Sequence, residues 1–252
     1  MLRPSPMPWV LRARTNLIHI PLMAAGTIAF GSTALLISLV DRHGCMQHRV
    51  AQLWARWMVC FAGARLTVIG AEKLGTHPVA VYAANHTSYM DTPVVFSSLP
   101  FQFRILARKA LWPIPFIGWY LNRSGQFPID TENTHTAMAS LGAAARGLKA
   151  GMPLFVFPEG GRTPDGSLKP FLPGAAYLAI RAQVPLVPIA LYGIYDLLPM
   201  HTRHLFPMRV KLLVGDPIET KGMSMRQTTE LTEELSRRVQ QLLNSAAAAS
   251  AS

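Results

Sequence analysis

Residues 78–95 read "PVAVYAANHTSYMDTPVV": one apolar run ends at Ala84, a second begins after Pro93, and a histidine and an aspartate stand between them. The first run has the β-branched and aromatic content of a buried strand. The residues after it carry helix-start signals. Ser88 and Asp91 have the spacing of a capping box, and Asp91 followed by Thr92 and Pro93 resembles an N-cap with proline in the first turn. A cap alone leaves His86 unexplained, because that residue sits just past the carboxyl end of a strand, where open α/β sheets bind their ligands. Five residues along one straight helix rotate roughly 500°, leaving side chains roughly 140° apart, so His86 and Asp91 can meet only across a strand-to-helix turn. There Asp91 would accept from one ring nitrogen and leave the other free as a base. A metal site is a further reading, but it lacks a clear third ligand, since "HTRH" at 201–204 lies among basic residues.

Working outward, the chain beyond residue 64 alternates β-branched runs with helical stretches. Strands are expected in "RLTVIG" from 65, "PVAVYAA" from 78, "QFRILA" from 102, "PLFVFP" from 153, "PLVPIAL" from 185 and "RVKLLVG" from 209. Helices are expected in "TENTHTAMASLGAAARGLKAG", stopped by Gly151, and in "SMRQTTELTEELSRRVQQLLNSA", where Met225, Leu231, Leu235, Val239 and Leu242 form one apolar stripe. The fold class is α/β, a mixed sheet flanked by helices, preceded by an N-terminal hydrophobic, membrane-associating helical segment. The expected division is 1–63 for membrane-associating helices, 64–245 for the catalytic domain and 246–252 for a disordered, alanine-rich tail.

The N-terminal part carries the strongest organisational signal. From Ile20 to Val40 the sequence has 21 residues without a formal charge, enough helix for roughly 30 Å of hydrocarbon. A cleaved signal peptide fits poorly, because "DRHG" before Cys45 offers no small-residue cleavage site. Arginines lie on both sides, at 3, 12 and 14 before and at 42, 49, 56 and 65 after, so charge asymmetry assigns no orientation. A spanning helix and a re-entrant or interfacial helix pair both fit. In the second reading Pro21, Gly26 and Gly31 allow a bend, and "HRVAQLWARWMVCFAG" continues the pair with Trp54 and Trp57 at headgroup level. A domain-packing helix is the plainer account of that second segment.

Composition narrows the partners. Lysine and arginine number 24 against 13 acids, a formal charge of +11, which calls for an anionic partner. Only 15% of residues are charged and mean hydropathy is positive, so an anionic membrane surface fits better than nucleic acid. Two cysteines, Cys45 and Cys60, exclude a disulfide framework and a four-cysteine zinc site and suit a reducing cytoplasm.

A second constellation, "FPEGGRT" at 157–163, follows the strand "PLFV". Its glycines let backbone approach an anion and Arg162 offers a permanently charged fork to phosphate oxygens, although "TPDG" just after it also marks an ordinary surface turn. Together, "NHTSYMD", "FPEGGRT" and "VPLVPI" resemble three of the four sequence blocks of the 1-acylglycerol-3-phosphate acyltransferase family, over about residues 65–215. The resemblance implies membrane-bound acyl transfer from acyl-CoA or acyl-carrier protein to a lysolipid hydroxyl, in phospholipid biosynthesis, with no cofactor and no metal. It places His86 and Asp91 in the catalytic His-x4-Asp block and Glu159, Gly160 and Arg162 in the substrate-binding block. The fourth block falls on Val184–Ile189, which also reads as a core strand. In the second block, "GQFPIDT" has Thr131 where the family has arginine, which opens a different acceptor, such as a lyso-ornithine lipid, and makes Lys109, with Arg108, the substitute source of charge. Ser88 as a covalent nucleophile lacks the glycine flanks of a nucleophile elbow. A non-catalytic membrane module of the same fold is the remaining alternative. The resemblance implies the inner membrane, with the catalytic domain on the cytoplasmic side.

Overall fold

The computed structural model describes residues 9–130, 134–200, 202 and 204–251. Seven strands, β1 (Arg65–Ile69), β2 (Val81–Ala84), β3 (Arg104–Arg108), β4 (Phe127–Ile129), β5 (Leu154–Val156), β6 (Leu186–Tyr192) and β7 (Arg209–Val214), pair in the order β1-β7-β6-β2-β5-β3-β4. The β6–β7 pair is antiparallel and the other strand pairs are parallel. The mixed sheet is therefore as expected. All four residues of β2 are buried, as a strand covered on both faces must be. Tyr82 and Ala84 face one core layer, Val81 and Ala83 the other.

The helices are α1 (Trp9–Arg14), α2 (Ile20–Ile37), α3 (Cys45–Phe61), α4 (Asp91–Ser98), α5 (Ile117–Arg123), α6 (Thr134–Lys149), α7 (Gly174–Ala182), α8 (Ile194–Leu197) and α9 (Thr228–Ala251). Helices α3 and α4 pack on one face of the sheet, with Ala51, Ala55, Val59, Val94 and Val95 in its core layer. On the other face α6, α7 and α9 contribute Ala144, Leu148, Leu178, Leu231, Leu235 and Val239. The plainer reading of the second N-terminal segment therefore holds for α3, which is part of the domain core although it lies before residue 64.

Helices α1 and α2 join through a π turn at Thr15–His19, where Ile20 N–H donates to Thr15 O five residues back. Pro21 comes next with no N–H to give, and widening the preceding turn accommodates it. Thr15–Ile37 is long and apolar enough to cross a membrane, and only 11% of an 18-residue apolar stretch within it is buried. The bend expected within this run is absent. Helix α2 passes through Gly26 and Gly31, and the chain reverses afterwards, over 38–44. Gly26 instead admits the Trp57 ring, and Trp54 Nε1 donates to Thr27 Oγ1 at 3.1 Å, so the two tryptophans face α2.

Three further expectations change. The tail 246–252 is not disordered in its described part: α9 continues through Ala251, Ala246 is buried, and Lys211 Nζ donates to Ala246 O at 3.3 Å and Ser250 Oγ at 2.8 Å. Alanine is the strongest helix former, and here it also packs. Met225 leaves the α9 stripe for a 3₁₀ turn and is 39% exposed. Strand β4 is an addition to the expected set, because it has three residues with Pro128 at its centre and so carries no strand signal. As the edge strand, it tolerates a proline.

Candidate active site

Strands β2, β5, β3 and β4 run parallel, so the loops that leave their carboxyl ends open on one edge of the sheet. That edge gathers His86 after β2, Glu159 after β5, Lys109 after β3 and Asp130 after β4. Local turns then set each side chain.

Asn85 fixes the point where the chain leaves the sheet. Its Nδ2 donates to Leu191 O at 3.0 Å and its Oδ1 accepts from Leu191 N–H at 2.8 Å. The next turn brings His86 and Asp91 together, with Nδ1 of His86 2.8 Å from Oδ2 of Asp91. Asp91 is fully buried at the first turn of α4, and the same oxygen accepts Thr87 N–H at 2.6 Å and Ser88 N–H at 2.8 Å. Three donors therefore converge on one carboxylate oxygen. A carboxylate can only accept, so Nδ1 carries the proton and Nε2 presents its lone pair. The imidazole stacks on Phe157, centroids 4.0 Å apart and planes at 18°, which fixes its second rotational freedom.

The cap expected from Ser88 or Asp91 takes another form. Met90 precedes α4 without a side-chain cap, and the Asp91 carboxylate reaches back to the amides before the helix. Ser88 is buried, donating from Oγ to Leu198 O at 2.9 Å and accepting from Met90 N–H at 3.3 Å. A hydroxyl so engaged is no nucleophile for an incoming ester.

The 157–163 loop is bound to the histidine loop from beneath. Glu159, 5% exposed, accepts His86 N–H on Oε1 at 2.7 Å and Lys169 N–H on Oε2 at 3.2 Å, and Thr163 N–H donates to His86 O at 3.1 Å. Burial pushes the Glu159 carboxyl up to about 7 against the pull of those two amides. Gly160 has a φ of +69°, and a Cβ there would meet Leu172 Cδ1 at 2.8 Å. Above Gly161 the space is open, so a ligand can approach its backbone. Arg162 lies over the Tyr89 ring, 3.7 Å from its centroid, with its Nε buried and without a hydrogen-bond partner among the described residues. Sequence reasoning misses Tyr89, and its place inside the His-x4-Asp block is the one signal that could have found it.

Lys109 stands apart. Two strand steps separate β3 from β2 in the sheet order, about 10 Å at ordinary strand spacing, and its Nζ lies 3.8 Å from Asp130 Oδ2. Thr131 lies outside the described residues. The fourth block, Val184–Ile189, supplies the buried start of β6, which is the core-strand reading. No cluster of three metal-ligating side chains occurs among the described residues. Beside Tyr89, a largely apolar cavity of about 1210 Å³ opens between the N-terminal helix, through Ile20 and Met23, and Leu198, Met200 and Leu205.

A protein-family model described as Acyltransferase matches residues 65–192. The 1-acyl-sn-glycerol-3-phosphate acyltransferase of Pseudomonas aeruginosa is 27% identical over 234 residues, covering 90% of this chain and 89% of that protein. The chloroplastic 1-acyl-sn-glycerol-3-phosphate acyltransferase BAT2 of Brassica napus is 30% identical over 185 residues, covering 70% of this chain and 53% of that one. Against several plant and animal relatives, the chain spans about half to two thirds of their length. The crystal structure of the 1-acyl-sn-glycerophosphate (LPA) acyltransferase PlsC from Thermotoga maritima superposes with a TM-score of 0.76 at 25% identity, over 92% of this chain and 97% of that one.

Proposed function

The chain belongs to the acyltransferase family, and from that premise we propose that it moves a fatty acyl group from a thioester, acyl-CoA or acyl-carrier protein, to the hydroxyl of a lysolipid. The acceptor best supported is 1-acylglycerol-3-phosphate, the product then being phosphatidic acid, because the bacterial and plant relatives carry that name. The observation that carries the reading is the 2.8 Å bond between His86 Nδ1 and a buried Asp91 already held by two backbone amides.

A lipid hydroxyl is far too weak an acid to attack a thioester unaided at neutral pH, and a placed base contributes on the order of 10²- to 10⁴-fold. His86 Nε2 takes the hydroxyl proton as the oxygen attacks the acyl carbonyl. The imidazolium that forms is stabilised by Asp91 through Nδ1, as an orienting carboxylate does in hydrolase triads. The tetrahedral centre collapses, the carbon–sulfur bond breaks, and the thiolate leaves with the proton returned from Nε2. No acyl-enzyme is needed, and no cofactor enters.

Arg162 is the anchor for an anionic headgroup, since stacking on Tyr89 orients a guanidinium whose Nε has no hydrogen-bond partner among the described residues. Lys109 adds positive charge at the β3 end of the same edge. Glu159 holds the two loops in register through His86 N–H and Lys169 N–H. The cavity beside Tyr89 takes an apolar chain, and the exposed apolar helix Thr15–Ile37 holds the enzyme at the membrane that contains its acceptor, with the catalytic domain on the cytoplasmic side.

The test is an assay in detergent with labelled acyl-CoA and acyl-carrier protein against a panel of lysolipids, including lysophosphatidate and a lyso-ornithine lipid. We expect turnover of lysophosphatidate and a loss of about 10²- to 10⁴-fold in His86→Ala. Full activity in that variant would remove the base. Selective use of the phosphate-free acceptor would reassign the substrate, and no turnover of any acceptor would leave a non-catalytic module.

A further inference from the structure

From the end of the Lys109 turn into the first residues of α5 the chain reads "WPIPFIGW", Trp112 to Trp119, and it turns bulky apolar side chains outward. Ile114, Phe116, Ile117 and Trp119 are each 40 to 54% exposed. The segment is nevertheless braced. Gly118 N–H donates to Ile114 O at 2.8 Å and Tyr120 N–H to Phe116 O at 3.0 Å. Phe116 sits at φ +63°, a conformation that bulky residues rarely adopt, and a Cβ on Gly118 would strike the Trp112 carbonyl. A fixed backbone that presents four large apolar side chains to water marks an interaction surface.

Two observations say what covers it. The end of α2 and the turn after it expose Leu36, Leu39 and Val40, and a groove of about 270 Å³ lined by Leu35, Ser38, Leu39, Trp119, Asn122 and Arg123 joins that region to α5. The segment therefore stands next to the exposed apolar helix, with Trp119 and Leu39 on a shared groove. Arg108, Lys109 and Arg123 surround the segment and are exposed, and tryptophan with flanking cations is the composition that suits the headgroup region of an anionic bilayer.

We propose that residues 112–119 are a second bilayer contact, a braced apolar wedge that enters the interface of an anionic membrane beside the end of α2. The inference rests on the reading of α2 as a membrane helix and goes beyond it. Because the wedge comes after β3, it lies on the sheet edge that carries His86, and its insertion would turn that edge toward the lipid.

The experiment places an environment-sensitive fluorophore on single cysteines in the full-length chain, with Cys45→Ser and Cys60→Ser as background. Labels go at Ile114→Cys and Ile117→Cys, at Ile28→Cys on α2, and at Glu72→Cys after β1, which ends at the opposite edge of the sheet. Vesicles contain phosphatidylethanolamine and phosphatidylglycerol, with or without brominated acyl chains. We expect the labels at 114 and 117 to shift to the blue and lose most of their emission to bromine, as at 28, while 72 stays aqueous. Aqueous spectra at 114 and 117 with a lipid spectrum at 28 would overturn the wedge and leave the helix reading standing. Aqueous spectra at all positions would overturn both. A blue shift at 114 and 117 that needs no lipid and grows with protein concentration would assign the surface to a second copy of the chain instead.

Discussion

The two halves of the site's sheet edge are built differently. At β2 and β5 the loops are dry and tied together: the Asp91 carboxylate, the Glu159 carboxylate and the Asn85 amide hold His86 through its ring, its backbone and the residue before it. At β3 and β4 the same edge is open, with Lys109 63% exposed and its ion pair to Asp130 stretched to 3.8 Å. An exposed pair of this kind contributes at most about 1 kcal/mol. On the proposed reading, the difference separates two tasks. Proton transfer needs its atoms fixed to within a fraction of an ångström, while the acceptor's headgroup can be met by long, mobile cations at the rim.

The contrast can be broken most forcefully at Asp91. Asp91→Asn keeps the shape and can keep an oxygen toward His86 Nδ1–H, Thr87 N–H and Ser88 N–H, but it removes the charge and puts an NH2 in the buried place of Oδ1, where the described residues offer no partner. We expect a fall in kcat of up to about 10⁴-fold, together with a loss of stability of about 1–3 kcal/mol for each buried donor left unpaired, measured by acyl transfer and by denaturant unfolding. If the variant keeps its stability and loses only activity, the carboxylate serves the imidazole alone. Lys109→Ala tests the open half. It should raise KM for a phosphate-bearing acceptor by up to about tenfold, in line with an exposed charge–phosphate contact, with kcat unchanged. A fall in kcat would move Lys109 into the tied half.

Glu159→Gln gives the smallest effect and the sharpest test of the dry half. Burial raises the folded carboxyl to about 7 from its ordinary 4.5. The native state therefore binds the proton more tightly, and this group's contribution to stability is full below about 4.5 and is lost as the pH rises through about 7. Unfolding midpoints of the parent should decline over that window relative to the glutamine variant, and parallel profiles would show that the Glu159 carboxyl titrates alike in the folded and unfolded chain, which would remove the upward shift.

The tied half was legible in the sequence and the open half was not, for a physical reason. "NHTSYMD" and "FPEGGRT" are short loops after strongly apolar strands, so period and position alone bring His86, Asp91 and Glu159 to one edge. The second block gave no such signal. Its strand β4 is three residues long with a proline inside, and Pro128 is tolerated there only because β4 lies at the edge. Contacts between loops were also out of reach, since neither Arg162 over Tyr89 nor Ser88 on Leu198 can be deduced from spacing. In the apolar segments, a stretch such as "WPIPFIGW" reads the same whether it is buried or exposed, and only the backbone at Phe116 and Gly118 turns it outward. The alanine tail misled in the opposite direction, because low complexity does not distinguish a frayed end from a helix with a lysine to hold it.

The amide of Asn85 has a consequence for how the enzyme can vary. A carboxamide carries the same donor and acceptor as a peptide group, so Asn85 counterfeits one further rung of sheet after β2 has ended, pairing sideways with Leu191 in β6. The histidine loop thus departs from a rung that belongs to the sheet's interior and is independent of the rim. On the proposed reading, residues around Lys109 are then free to drift toward another headgroup while the proton-transfer pair keeps its address.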